Sequence, residues 1–156
     1  MTFRVKIIGA GSIGNHHAHA CRSLGWNVTV CDIDSKALNR MQKSIYPERY
    51  GAWDKSINLF LAKDVPKSFF DLVIIGTPPA THLPLLKEVI RESPRAILVE
   101  KPFSTPVAKG VDRIYNDLLE KNISCFIGYD HVVSESVEKL EEVIKSGIMG
   151  EINYID

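Results

Sequence analysis

Three glycines at Gly9, Gly11 and Gly14, spaced G-x-G-x-x-G, directly follow the β-branched run Val5-Lys6-Ile7-Ile8. A strand that enters such a turn and leaves it as a helix can hold a diphosphate on main-chain amides. Each glycine has its own task. Gly9 turns the chain off the strand, Gly11 leaves room for an anion against the backbone, and Gly14 lets the helix pack on the strand. The helix start at Ser12 and Ile13 then offers free N–H groups and a partial positive charge. Asp32 stands 18 residues after Gly14, at the end of the next apolar run. A carboxylate there accepts hydrogen bonds from ribose hydroxyls and repels a 2′-phosphate. The expected ligand is therefore a dinucleotide, NAD in preference to NADP. Ile33 supports this, since no arginine or serine stands there to receive a 2′-phosphate.

A second group with chemical potential is Glu100-Lys101-Pro102, at the end of the run Ala96-Ile97-Leu98-Val99. A lysine at that place can polarise a carbonyl or stabilise a forming alkoxide. Glu100 reads either as a simple strand-end carboxylate or as a wall of the cofactor pocket. His16, His17 and His19 invite a metal reading, but no carboxylate or cysteine completes a ligand set, so no metal is expected. His16 and His17 remain candidates for lining the cleft. His131 reads as a loop contact, and Tyr129 and Asp130 as residues on the nicotinamide side.

These residues need a frame that brings them to one edge. Strands are expected over 3–8, 27–31, 71–76, 96–99 and 124–129, with a short one over 50–53. Helices are expected over 12–24, 36–45, 54–63, 80–92, 105–121 and 134–146. Gly25 and Pro47 end the first two, and Ser134 or Ser136 caps the last. Strict alternation of strand and helix predicts an α/β fold, a Rossmann-type doubly wound parallel sheet. Ligands of such sheets bind beyond the carboxyl ends of the strands. The glycine turn, Asp32, Thr77-Pro78, Glu100-Lys101 and Tyr129-Asp130 all follow an expected strand.

The chain has 156 residues, 19 basic and 19 acidic, with a formal net charge of zero. A balanced charge gives no electrostatic footprint for nucleic acid. No apolar run approaches the ~20 residues of a membrane helix. Cys21, Cys31 and Cys125 are too few and too scattered for a disulfide framework and read as buried reduced thiols. With no basic and apolar leader pattern, a cytoplasmic location is expected. The tail departs from the alternation. A strand over 151–155 would be left with an open edge. It reads as the start of a truncated second, α+β domain, with 1–130 as the dinucleotide-binding domain and 131–156 as linker helix and first strand.

Four motifs in order resemble the glucose–fructose oxidoreductase, inositol dehydrogenase and rhizopine catabolism (Gfo/Idh/MocA) family. They are the glycine turn 9–14, the run 75–82 (IGTPPATH), the run 99–103 (VEKPF) and the run 144–152 (IKSGIMGEI). The resemblance implies hydride transfer between a nicotinamide cofactor and a small molecule: a sugar, a cyclitol or a sugar nucleotide. It places Lys101 beside the nicotinamide and the substrate oxygen, as the catalytic residue of this chain. It gives Thr77, Pro78 and His82 a cofactor-contact role. It also implies a homo-oligomer for the full-length protein, formed through the second domain. Relatives often carry an arginine after G-Y-N-H, where this chain reads Gly128-Tyr129-Asp130-His131-Val132-Val133, which removes that arginine's role. The family's catalytic histidine lies in the second domain, so this chain alone is expected to bind cofactor without turning over. Two rivals stand beside this reading: a non-catalytic redox-sensing module, and a sugar-nucleotide-modifying enzyme on the same fold.

Overall fold

The computed structural model describes residues 2–151. Six strands form one parallel sheet in the order β3-β2-β1-β4-β5-β6. They are β1 (Arg4–Ile8), β2 (Asn27–Asp32), β3 (Asn58–Leu61), β4 (Leu72–Ile75), β5 (Ala96–Val99) and β6 (Ser124–Ile127). The chain steps outward from β1 to β3, then restarts at β4 on the other side of β1. The order therefore reverses between β1 and β4, and the crevice that binds ligands in such sheets opens above that pair.

Helices cover both faces, as the alternation predicts. On one face α1 (Ser12–Ser23) and α2 (Ser35–Arg40) bury Ala18, Cys21, Ala37 and Leu38 against Val5, Ile7, Val28 and Val30. On the other, α4 (His82–Glu92) and α5 (Val111–Glu120) bury Leu86, Val89, Ile90, Ile114 and Leu118 against Val73, Ile75, Ile97 and Val99. Leu86, Val89 and Ile90 recur at helical spacing, and burying each such side chain contributes about 1.5–3 kcal/mol. After β6, α6 (Glu135–Lys145) is capped by Ser134, whose Oγ accepts the Val137 N–H at 3.4 Å.

The region between α2 and β4 differs from expectation. Pro47 does not end the second helix. Met41–Ile45 is wound as a π-helix, with the Tyr46 N–H reaching back to the Met41 carbonyl, and α3 (Tyr46–Tyr50) follows. Pro47 then falls in the first turn of α3, directly after the π segment. Residues 50–53 are not a strand: they are the end of α3 and a turn through Gly51, φ +86°. Residues 54–63 are not a helix. The side chains that pack on the core are Ile57, Leu59 and Leu61, a period of two, and Asn58–Leu61 pairs with β2 as β3. The helix expected from 105 begins only at Val111, because Gly110 at φ +78° sets its start. Of the final strand expected over 151–155, residues 152–155 lie outside the described residues.

Candidate cofactor site

The glycine turn is built on three contacts. Gly9 adopts φ +109°, a region that favours glycine, and donates its N–H to the Cys31 carbonyl at 2.8 Å. A Cβ there would lie 2.7 Å from the Gly76 carbonyl oxygen, so the turns after β1 and β4 meet back to back. A Cβ on Gly14 would lie 1.9 Å from the Gly9 carbonyl oxygen, which seats α1 tightly on the turn. At Gly11, the residue before α1, a Cβ would meet nothing within 4 Å. Gly11, Ser12 and Ile13 are exposed at the start of α1. This is a turn whose backbone is open to an anion at one point and closed elsewhere, which fits a diphosphate.

Asp32 ends β2 beside this turn. Its Oδ2 accepts the Ala10 N–H at 2.8 Å and its Oδ1 accepts the Asp34 N–H at 2.9 Å. The carboxylate is thereby held in place, and each oxygen keeps a lone pair for a ribose hydroxyl. A cleft of about 460 Å³ runs along this edge, lined by Gly9, Gly11, Asp32, Ile33, Ala37, Arg40, Gly76, Thr77 and Pro78 among others. Arg40 is a cleft residue that sequence reasoning missed. Its signal was its place at the end of α2, the helix that follows Asp32.

His82 is fully buried and does not face the cleft. This corrects the expected direct contact with cofactor. The Pro79–Thr81 turn carries the ring inward. There Nε2 lies 2.6 Å from the Thr77 carbonyl, and Nδ1 lies 3.0 Å from that of Pro102 and 3.3 Å from that of Phe103. His82 thus ties the cleft loop at Thr77 to the loop bearing Lys101. Thr77 is further bonded through Oγ1, which accepts from the Thr81 hydroxyl at 2.7 Å.

Glu100 and Lys101 follow β5, at the same edge of the sheet. The Glu100 N–H donates to the Ile75 carbonyl at 3.0 Å. Its carboxylate is not open to the cleft: Oε1 lies 2.7 Å from His17 Nε2, and Oε2 accepts the Lys101 N–H at 3.3 Å. Gly128 permits this, since a Cβ there would sit 2.9 Å from Glu100 Oε1. Lys101 Nζ donates to Asp130 Oδ1 at 2.8 Å. That bond raises the lysine pKa above its ordinary value and lowers that of Asp130. The lysine therefore stands as a hydrogen-bonded cation, in solvent, at the carboxyl end of the sheet. The three histidines of α1 part company. His16 meets Arg49 and Tyr50, His17 meets Glu100, and His19 stacks on Tyr50 at 3.8 Å. Among the described residues no group of three or more His, Cys, Asp or Glu is placed to hold a metal. No helix there is long and apolar enough to cross a membrane.

Residues 3–129 match the model of an oxidoreductase family with an NAD-binding Rossmann fold, Gfo/Idh/MocA. The chain belongs to that family. Residues 3–129 thus form an NAD-binding Rossmann domain, and the six-stranded parallel sheet has that fold. Solved structures share the fold. The WlbA dehydrogenase of Bordetella pertussis, in complex with NADH and UDP-GlcNAcA, superposes with a TM-score of 0.72 at 20% identity, over 97% of this chain and 42% of its own. Myo-inositol 2-dehydrogenase of Lactobacillus plantarum superposes with a TM-score of 0.74 at 19% identity, over 97% and 43%. Among curated proteins, "Glycosyl hydrolase family 109 protein 2" of Shewanella sp. (strain ANA-3) is 28% identical over 96% of this chain. The chain spans 33% of that relative's length.

Proposed function

We propose that this chain is the cofactor half of an NAD-dependent dehydrogenase acting on a sugar, a cyclitol or a sugar nucleotide. NAD, when bound, supplies the hydride acceptor. The chain's own residues do the rest. Gly9, Gly11, Ser12, Ile13 and Gly14 hold the diphosphate, and Asp32 holds the adenosine ribose. Thr77 and Pro78 form the wall of the cleft, with His82 and Glu100 bracing it from behind. Lys101 serves the substrate oxygen as a hydrogen-bond donor and charge stabiliser. Residues 1–130 form the binding domain and 131–156 lead toward a substrate domain that would also carry the homo-oligomer contacts.

The observation that carries this reading is the common edge. The glycine turn, Asp32, Thr77 and Lys101 all lie at or just after strand carboxyl ends of one parallel sheet. Lys101 also distinguishes the reading from a redox sensor, which has no use for a cation at the reacting end. The test is Lys101→Ala in the full-length protein. NADH affinity should persist while turnover falls by a factor of about 10²–10³, the effect of losing one oxyanion donor. Unchanged turnover would remove Lys101 from the mechanism.

The curated relatives' name favours a second reading, net cleavage of a glycosidic bond with the cofactor returned to its starting state. NAD-dependent glycosidases of that kind exist. The two separate on stoichiometry. A dehydrogenase forms one NADH per substrate turned over, whereas a hydrolase releases sugar with no net NADH.

A further inference from the structure

The π-helical stretch Met41–Ile45 advances the chain so that α3 presents Tyr46, Arg49 and Tyr50 to α1. Such π segments recur at functional sites, because they re-aim the residues that follow. The re-aimed residue of interest is Arg49. Its Nη2 donates to Ser12 Oγ at 2.9 Å, and its Nη1 to the Ser12 carbonyl at 3.1 Å and to His16 Nε2 at 3.1 Å. With Nε2 accepting, the His16 ring proton belongs on Nδ1, bonded to the Tyr50 hydroxyl. Tyr50 is itself stacked on His19, at 3.8 Å and 3°, and packed edge-on against Tyr46. The guanidinium is thus aimed by a packed aromatic support.

Its position is electrostatically odd. Ser12 is the first residue of α1, the positive end of the helix dipole, where a cation is unfavourable and an anion is favoured. The three acceptors of Arg49 are all neutral, and the first turn of α1 contains no acidic residue. Arg49 and Ser12 are both exposed, so the charge is accessible. A cation held against a helix N-terminus, with no anion among these partners, marks a place where an anion arrives.

We infer that Arg49 is a binding residue for the cofactor's diphosphate, adding a formal positive charge to the main-chain amides of the glycine turn. This rests on the reading that Gly11 to Ile13 hold the diphosphate. With NAD bound, Arg49 would bond a diphosphate oxygen, exchanging a neutral acceptor for an anionic one.

The test is a set of titrations on the chain as it stands: NADH by fluorescence, with ADP and adenosine as competitors. The proteins are wild type, Arg49→Gln, Arg49→Lys and Gly11→Asp. Arg49→Gln should weaken NADH and ADP about tenfold, while adenosine, which has no phosphate, changes less than twofold. Arg49→Lys should recover part of the loss, and added salt should narrow the gap between wild type and Arg49→Gln. If Arg49→Gln leaves ADP unchanged while Gly11→Asp abolishes it, Arg49 has no part and the cradle reading stands. If neither substitution affects ADP, both fail. An equal loss for ADP and adenosine makes Arg49 a mere support of α1 and overturns the inference.

Discussion

His17 Nε2 lies 2.7 Å from Glu100 Oε1, which joins the helix that leaves the glycine turn to the loop that carries Lys101. The pair is largely buried, with the side chains 21% and 13% exposed. Through it, the helix that follows the glycine turn and the loop that follows β5 share one hydrogen bond.

Removing one partner should therefore be costly. His17→Ala leaves the Glu100 carboxylate with the Lys101 N–H as its remaining bond, which costs about 1–3 kcal/mol of stability. Glu100→Gln keeps an oxygen for His17 and should cost less than half as much. Urea denaturation of the two variants decides this. A His17→Ala protein as stable as wild type would show that the bond is incidental.

The ion pair between Lys6 and Glu92 gives the opposite kind of result. Lys6 in the central strand β1 is 5% exposed, bonded to Glu92 of α4 and set 5.4 Å from the Phe70 ring centroid. Replacing a buried lysine by an apolar side chain of similar length removes its desolvation penalty along with its attraction. Lys6→Met should change stability by less than about 1 kcal/mol, whereas Glu92→Leu strands the ammonium and should cost about 2–4 kcal/mol. Equal losses from the two substitutions would contradict this.

The cysteines predict a pH limit. Burial pushes the thiols of Cys21 and Cys31 up from the ordinary 9.0 to about 11. A folded pKa above the unfolded one stabilises the fold below pH 9, and that contribution is lost as pH rises toward about 11. Denaturation midpoints should be flat from pH 7 to 8.5 and fall above 9.5, less so in a Cys31→Ala protein. Iodoacetamide at pH 8 should label Cys21 and Cys31 only in denaturant. Rapid labelling of the folded chain would contradict their burial.

Where side-chain period and breakers agreed, the fold was legible in the sequence. The run Leu72–Ile75 between Asp71 and Gly76, and the helical spacing of Leu86, Val89 and Ile90, left one choice each. The placement of the candidate residues was legible for a related reason: they sit at strand ends, which the alternation locates. What failed was local. Ile57, Phe60 and Leu61 fit a helix by spacing, yet pairing with β2 selects the alternate set Ile57, Leu59 and Leu61. Pro47 reads as a stop unless a π turn precedes it, and nothing in residues 41–45 announces one. His82 was misjudged because a motif gives the residue but not the side on which its ring falls. Arg49 escaped notice because its role depends on that same π turn.

The most direct measurement is the amide shift map of the 15N-labelled chain titrated with NADH. The account predicts large, saturable shifts at Gly9, Gly11, Ser12, Ile13 and Gly14, at Asp32 and at Thr77. Amides on the far edge, such as Asn27 and Ala96 at the start of β2 and β5, should stay still. Saturating NADH that left the glycine-turn amides unmoved, or moved only residues elsewhere, would contradict it.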